Sequence, residues 1–151
     1  MASTALLTDR YELTMIDAAM LSGTHDRDCV FEVFARRLPQ GRRYGVVAGT
    51  GRLLDAIAEF RFTDPELDFL REHAIVSDGA LDWLADYRFG GSVRGYGEGD
   101  LYFPGSPILT IEGTFAEAVV LETLALSVLN HDSAVATAAA RMSIAAGDRP
   151  L

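Results

Sequence analysis

The apolar positions of this chain change their period several times, and each change marks an element. Leu13, Ile16 and Met20 fall on one helical stripe, with Leu21 beside it. That is the 3.6-residue spacing of an amphipathic helix. Asp9 is placed to cap it, with Thr8 as the alternative, and Glu12 stands three residues after Asp9, the spacing of a capping box. Ser22-Gly23 supplies the stop. Residues 29–35 then alternate Val30, Glu32 and Phe34 against Phe31, Val33 and Ala35. β-Branched and aromatic residues dominate, so a strand is predicted, covered on both faces, in which Glu32 needs a partner or an edge. A second short strand is predicted over 45–48. Gly49-Thr50-Gly51 leads from it into a helix over 52–60.

Thr63-Asp64-Pro65-Glu66 combines capping spacing with an early proline and starts a helix that carries Leu67 and Leu70 to near His73. Ser77-Asp78 starts another, with Leu81, Leu84 and Ala85 on its stripe and Trp83 close to it. From Gly90 the texture changes. Three short strand candidates, over 92–96, 100–103 and 107–111, are punctuated by Gly97-Glu98-Gly99 and Pro104-Gly105-Ser106, which reads as an antiparallel meander. Thr114-Phe115-Ala116-Glu117 is a third capping box. It opens the longest helical tract, up to Ala146 before Gly147. Asn130-His131-Asp132-Ser133 interrupts the apolar character of that tract, so either two helices or one kinked helix fits. The small residues of 134–140 let another backbone approach closely and predict packing against something large. The fold class is α+β, with a mixed or antiparallel sheet and helices packed on it. The division is an N-terminal α/β domain over 1–113 and the helical tract over 114–151.

At 151 residues the chain is long enough for one domain with a real core. Its net charge of −9 argues against a general nucleic-acid binder, which needs a basic surface. The single cysteine, Cys29, allows no internal disulfide and reads as a small buried residue. The N-terminus has no basic segment followed by an apolar signal core, and no apolar run reaches membrane-spanning length. A cytoplasmic protein with neither nucleic acid nor membrane as partner is expected.

Against this acidic background Arg36, Arg37, Arg42 and Arg43 surround a Pro39/Gly41 turn at a strand end, the one basic concentration in the chain. It is a solvated loop or an anion site, since guanidinium forks match phosphate oxygens. The Gly49 turn lacks the further glycine of a dinucleotide fingerprint and the lysine of a P-loop, so it reads as a plain strand-to-helix turn. His25 and His73 have no metal-like neighbours and read as surface residues, and Trp83 as core. Tyr11, an aromatic in the first turn between Arg10 and Glu12, is left unexplained by helix formation.

Four blocks together carry a family resemblance. They are LLTDRYELTM from Leu6, FEVFARRLP from Phe31, the meander from Phe103-Pro104 to Glu112-Gly113, and Leu121-Glu122-Thr123 through Asn130-His131-Asp132-Ser133 to Ala136-Thr137. In this order and spacing they resemble the N-terminal region of nicotinate phosphoribosyltransferases, of the type II phosphoribosyltransferase family. The resemblance runs from about Leu6 to the end of the chain. It implies an α/β N-terminal domain joined to an irregular barrel that this chain lacks. It also implies synthesis of nicotinate mononucleotide from nicotinate and phosphoribosyl pyrophosphate, coupled to ATP hydrolysis with Mg2+. The complete enzyme is implied to be a homodimer with shared active sites. By the same resemblance Tyr11 stacks on the pyridine ring, Asp9 shapes that pocket and Arg36 lies near the phosphates, with Arg37 as the adjacent alternative. His131 is not the family's phosphorylated histidine, which lies downstream. No catalytic residue, metal ligand or bound cofactor is expected in this chain alone, and its long helix should expose apolar surface.

Quinolinate phosphoribosyltransferases share the long-helix pattern but carry Glu-Arg where this chain has Glu122-Thr123. Losing that guanidinium fits a substrate with one fewer carboxylate. Nicotinamide specificity is less firmly set aside, because the residues choosing acid over amide lie mostly downstream. The competing readings are a stand-alone binding domain that keeps the fold without catalysis, and a truncated piece with no role of its own.

Overall fold

The computed structural model describes residues 4–150. A short 3-10 turn, Ala5–Leu7, precedes helix α1, Arg10–Leu21. Leu13, Ile16 and Ala19 are buried along α1. Leu21, placed beside that stripe by the sequence, is 83% exposed instead. The helix stops at Ser22, and Gly23 adopts φ +67°, a conformation open to glycine without strain.

Strand β1, Asp28–Phe34, leads to the short β2, Gly45–Val46. Helices α2 (Thr50–Glu59), α3 (Asp64–Glu72) and α4 (Asp78–Ala85) follow. The capping box of α3 forms between Thr63 and Glu66, and Ser77 caps α4 by accepting from the Ala80 amide at 3.4 Å. Strands β3 (Ser92–Gly95), β4 (Leu101–Tyr102) and β5 (Pro107–Thr114) come next. The chain closes with α5 (Phe115–Val119) and the 25-residue α6 (Glu122–Ala146).

All strand pairing is antiparallel, in two small sheets ordered β1-β5-β3 and β2-β4. The predicted meander is therefore wrong in its connections. β4 leaves its sequence neighbours to pair with β2, and β5 takes β1 as its second partner. The cause is non-local: β5 is long enough to hold β1 from Asp28↔Thr114 to Val33↔Leu109 on one edge and β3 on the other. β1 is also covered on one face only. Cys29, Phe31 and Val33 are half-buried, whereas Val30, Glu32 and Phe34 are exposed. Cys29 is accordingly not the fully buried residue expected. Glu32 faces solvent and has no need of an internal partner.

The long tract breaks in a different place from the one expected. Thr114 and Glu117 form the predicted capping box, but α5 ends at Val119 and the Leu121 amide bonds the Ala118 carbonyl in a tight turn (3.2 Å). Through 130–133 α6 runs uninterrupted, and Asp132 and Ser133 find partners outside the helix. The Ser133 hydroxyl accepts from the Ala48 amide (3.1 Å) and donates to the Ala48 carbonyl (3.2 Å). Thr137 Oγ1 accepts from the Val46 amide (2.8 Å). Two buried hydroxyls thus stand where β2 lacks a neighbouring strand. The small residues around them allow the short β2 to approach, but Ala134, Val135 and Ala139 are exposed, so among the described residues 134–140 meet no large partner.

One hydrophobic core unites α1–α6 with both sheets. α5 and the first half of α6 contribute Ala116, Val119, Leu121, Leu124, Val128 and Leu129 to it. Phe60, Phe62 and Tyr87 pack edge to face in its centre, with centroids 5.7–6.4 Å apart. Further along α6 the apolar side chains Val135, Met142 and Ile144 are exposed, as expected of this helix. Among the described residues no helix is long and apolar enough to cross a membrane.

Candidate functional site

The four residues singled out by the sequence lie on two segments, Asp9 and Tyr11 at the start of α1 and Arg36 and Arg37 after β1. Tyr11 is 45% exposed because the buried stripe of α1 passes through its neighbours Glu12 and Leu13. The neighbouring Glu122 carboxylate at the start of α6, then burial and the surrounding carboxylates, push the Tyr11 phenol up to about 12. Asp9 is exposed, with extended backbone at the helix N-cap and no side-chain capping bond. Arg36 and Arg37 lie in the exposed segment after β1, and among the described residues neither is held by a hydrogen bond or ion pair.

Arg36 reaches a cavity of about 290 Å³ between β1, α5 and α6, lined also by Phe31, Phe34, Ala118, Glu122 and Leu126. Glu122 lines this cavity and neighbours Tyr11. Of the four predicted residues the fold brings Arg36 to the cavity wall, but not Tyr11, Asp9 or Arg37. A second cavity, of about 410 Å³, shares Val33, Phe34 and Leu126 with the first and runs along α6 to Asn130 and Ser133.

Glu12 is where sequence reasoning missed most. The capping box predicted for α1 does not form. Glu12 is 0% exposed, and its carboxylate accepts from the Thr123 amide at 3.1 Å, the Thr123 hydroxyl at 2.5 Å and the Thr8 hydroxyl. Thr123 is in the first turn of α6, whose own N-cap residue, Leu121, offers no capping side chain. A residue 111 positions earlier supplies the missing acceptor, and its negative charge suits a helix N-terminus. Burial raises the Glu12 pKa above its ordinary value, while the three hydrogen bonds oppose that shift. A carboxylate at an otherwise buried helical position, four residues before Ile16, was the available signal.

The Gly49 turn is occupied from within. Gly49 has φ +93°, and its amide donates to both Glu98 oxygens (3.1 and 3.0 Å), while Gly51 donates to Oε1 (3.1 Å). The N-terminus of α2 therefore holds a carboxylate of the same chain. Beside it Asp132 takes a two-pronged bond from Arg52 (2.9 and 2.8 Å) and contacts His131 Nδ1 at 2.9 Å. Arg52 first, then His131, holds the Asp132 carboxyl down at about 2. His25 is not the surface residue expected. It is partly buried, with Nδ1 unpaired and Nε2 3.3 Å from Asp26. His73 is exposed and stacks on Phe69, and Trp83 packs on Tyr87 at the core edge.

This architecture recurs in phosphoribosyltransferase structures. A crystal structure of human nicotinic acid phosphoribosyltransferase superposes with a TM-score of 0.86 and 31% identity, over 95% of this chain and 29% of that one. Nicotinate-nucleotide pyrophosphorylase from Pyrococcus furiosus follows at 0.65 and 25%, with the same coverage. The chain belongs to the nicotinate phosphoribosyltransferase (NAPRTase) N-terminal domain family, whose sequence model matches residues 6–130. Nicotinate phosphoribosyltransferase pncB1 of Mycobacterium tuberculosis is 58% identical over 146 residues, 97% of this chain and 32% of the relative. The Bacillus subtilis nicotinate phosphoribosyltransferase is 34% identical over 146 residues, 97% of this chain and 30% of its own length. The chain thus spans about a third of the length of these curated relatives.

Proposed function

We propose that this chain is the N-terminal part of an enzyme that makes nicotinate mononucleotide from nicotinate and phosphoribosyl pyrophosphate, with ATP hydrolysis, in cytoplasmic NAD synthesis. The observation that carries this reading is the 58% identity to the M. tuberculosis relative across 97% of the chain. The geometry is compatible with it: an unengaged guanidinium at Arg36 lines a partly apolar cavity, and the exposed aromatic Tyr11 stands beside Glu122 of that cavity's wall. In this reading Tyr11 stacks on the pyridine ring, Arg36 attracts a phosphate, and Asp9 and Arg37 stand beside them. In this reading these residues supply one wall of the site. A homodimer, in which another chain closes the site, fits a wall of this kind.

Phosphoribosyl transfer needs cations on a departing pyrophosphate and a preorganised cradle for the sugar phosphate. Among the described residues no three His, Cys, Asp or Glu side chains converge as metal donors. The α2 amides that could bind a phosphate are taken by Glu98. In this reading ATP and Mg2+ are held outside these residues. A single wall encloses too little of a ligand to bind it tightly, so the 151-residue chain alone is inactive in this reading.

The test is a chimera in which this chain replaces the matching region of the M. tuberculosis relative. It should form nicotinate mononucleotide from nicotinate, phosphoribosyl pyrophosphate, ATP and Mg2+. Tyr11→Ala should raise the nicotinate KM, and Arg36→Ala that for phosphoribosyl pyrophosphate. A folded chimera without turnover would favour a binding domain that has lost catalysis. Product from the isolated chain would overturn the one-wall reading.

A further inference from the structure

Glu12 of α1 accepts from both the amide and the hydroxyl of Thr123 in α6, and its neighbour Tyr11 stands beside Glu122, the residue before Thr123. The Glu12–Thr123 contact is fully buried on the Glu12 side and joins the first turns of two helices that are far apart in sequence. We propose that Glu12 is a positioning residue for the substrate-binding wall, fixing the Tyr11 ring against α6 by capping that helix through Thr123. The proposal rests on the reading above that Tyr11 meets the pyridine ring.

Three features separate this role from plain core filling. A buried carboxylate is a costly way to occupy space, and an apolar residue of similar size would pack there without desolvating a charge. The Glu12 bonds also fix direction as well as depth. Two donors of Thr123 converge on Oε1 while Thr8 donates to the other oxygen. This determines the rotation of α1 about its axis, and so where Tyr11, 100° away on the helix, points. Finally, the Thr8 hydroxyl has an alternative acceptor, the Val120 carbonyl at 3.3 Å. If the side chain at position 12 offered a donor instead of a lone pair, Thr8 could donate to the Val120 carbonyl and accept from position 12. An amide can therefore replace the carboxylate with the clamp intact, which an aliphatic side chain cannot do.

The test uses the active chimera. Glu12→Gln should leave the nicotinate KM within about twofold of the parent. Glu12→Met, matched in size, and Thr123→Val should each raise it about threefold to tenfold, the range of a lost aromatic contact. The KM for phosphoribosyl pyrophosphate should stay put, and Thr123→Ser should restore the parent value. Thr123→Val serves if Glu12→Met does not fold. In a Tyr11→Ala background Glu12→Met should add nothing. A Glu12→Met chimera with parental nicotinate KM, while Tyr11→Ala raises it, would overturn the proposal and leave the reading of Tyr11 standing. An unchanged KM in Tyr11→Ala would remove that reading and the proposal with it. Additive effects of the two substitutions would place the action of Glu12 elsewhere.

Discussion

Thr137 and Ser133 hold β2 without a strand on that side, and removing their hydroxyls should show how much they contribute. Thr137→Val keeps the volume and helix propensity nearly constant and deletes the acceptor 2.8 Å from the Val46 amide. A buried donor left without a partner costs about 1–3 kcal/mol. Val46 is only half-buried, so about 1–2 kcal/mol is expected for this site. Ser133→Ala removes a partner from both the amide and the carbonyl of Ala48. A helix-propensity gain of roughly 0.5 kcal/mol offsets part of that loss, leaving again about 1–2 kcal/mol. The two sites support one strand, and together they should cost about 2–4 kcal/mol, a large share of the 5–15 kcal/mol typical of a domain. In urea, with a slope of about 2 kcal/mol/M, the double substitution should lower the midpoint by about 1–2 M. Thr137→Ser keeps the hydroxyl and should lose only about 1 kcal/mol for its methyl group. The reasoning fails if Thr137→Ser costs more than Thr137→Val, or if the double variant lies within about 0.5 kcal/mol of the parent.

Gly91→Ala would drive a Cβ into the Glu112 carbonyl oxygen, just before the start of the β3–β5 ladder. Backbone cannot yield as a side-chain tip can, so a loss of about 3 kcal/mol or more is expected in the same urea assay. Two of the perturbed carboxylates, Asp132 and Glu12, should act on stability with opposite signs. Asp132 lies at about 2 in the folded chain, below its ordinary 3.8. Its contribution is therefore complete above 3.8 and lost as pH falls towards 2, and thermal melts of Asp132→Asn and parent should converge in that window. Glu12 is raised above its ordinary 4.5. The folded chain then binds more protons than the unfolded one, so its contribution is full below 4.5 and declines as pH rises through the folded value. Glu12→Gln should consequently gain stability relative to the parent between pH 4 and 7, and a widening deficit over that range would contradict the assignment.

Much of the chain is decided by its residues in order. The stripe of Leu13 and Ile16, the caps at Thr63, Ser77 and Thr114, and the alternation of 29–35 each specify an element from neighbours a few positions apart. Tyr11 and Arg36 were legible as candidates because each is awkward locally: an aromatic on a polar helical turn, and a cation in an acidic chain. The order of the blocks was enough to find the family. Partnership over long separations was not legible. Glu12 has a spacing that satisfies a local capping box, yet a buried site 111 residues away offers its carboxylate two donors from one residue, and that site wins. β4 pairs with β2, and Ser133 and Thr137 keep α6 intact by turning their hydroxyls to β2. Glu98 fills a glycine turn that by spacing alone was open to other anions. In each case a polar group had two possible partners, one near in sequence and one near in space. Local spacing reveals the first. Packing of the core, which sets which backbone groups lose water and must be satisfied, selects the second.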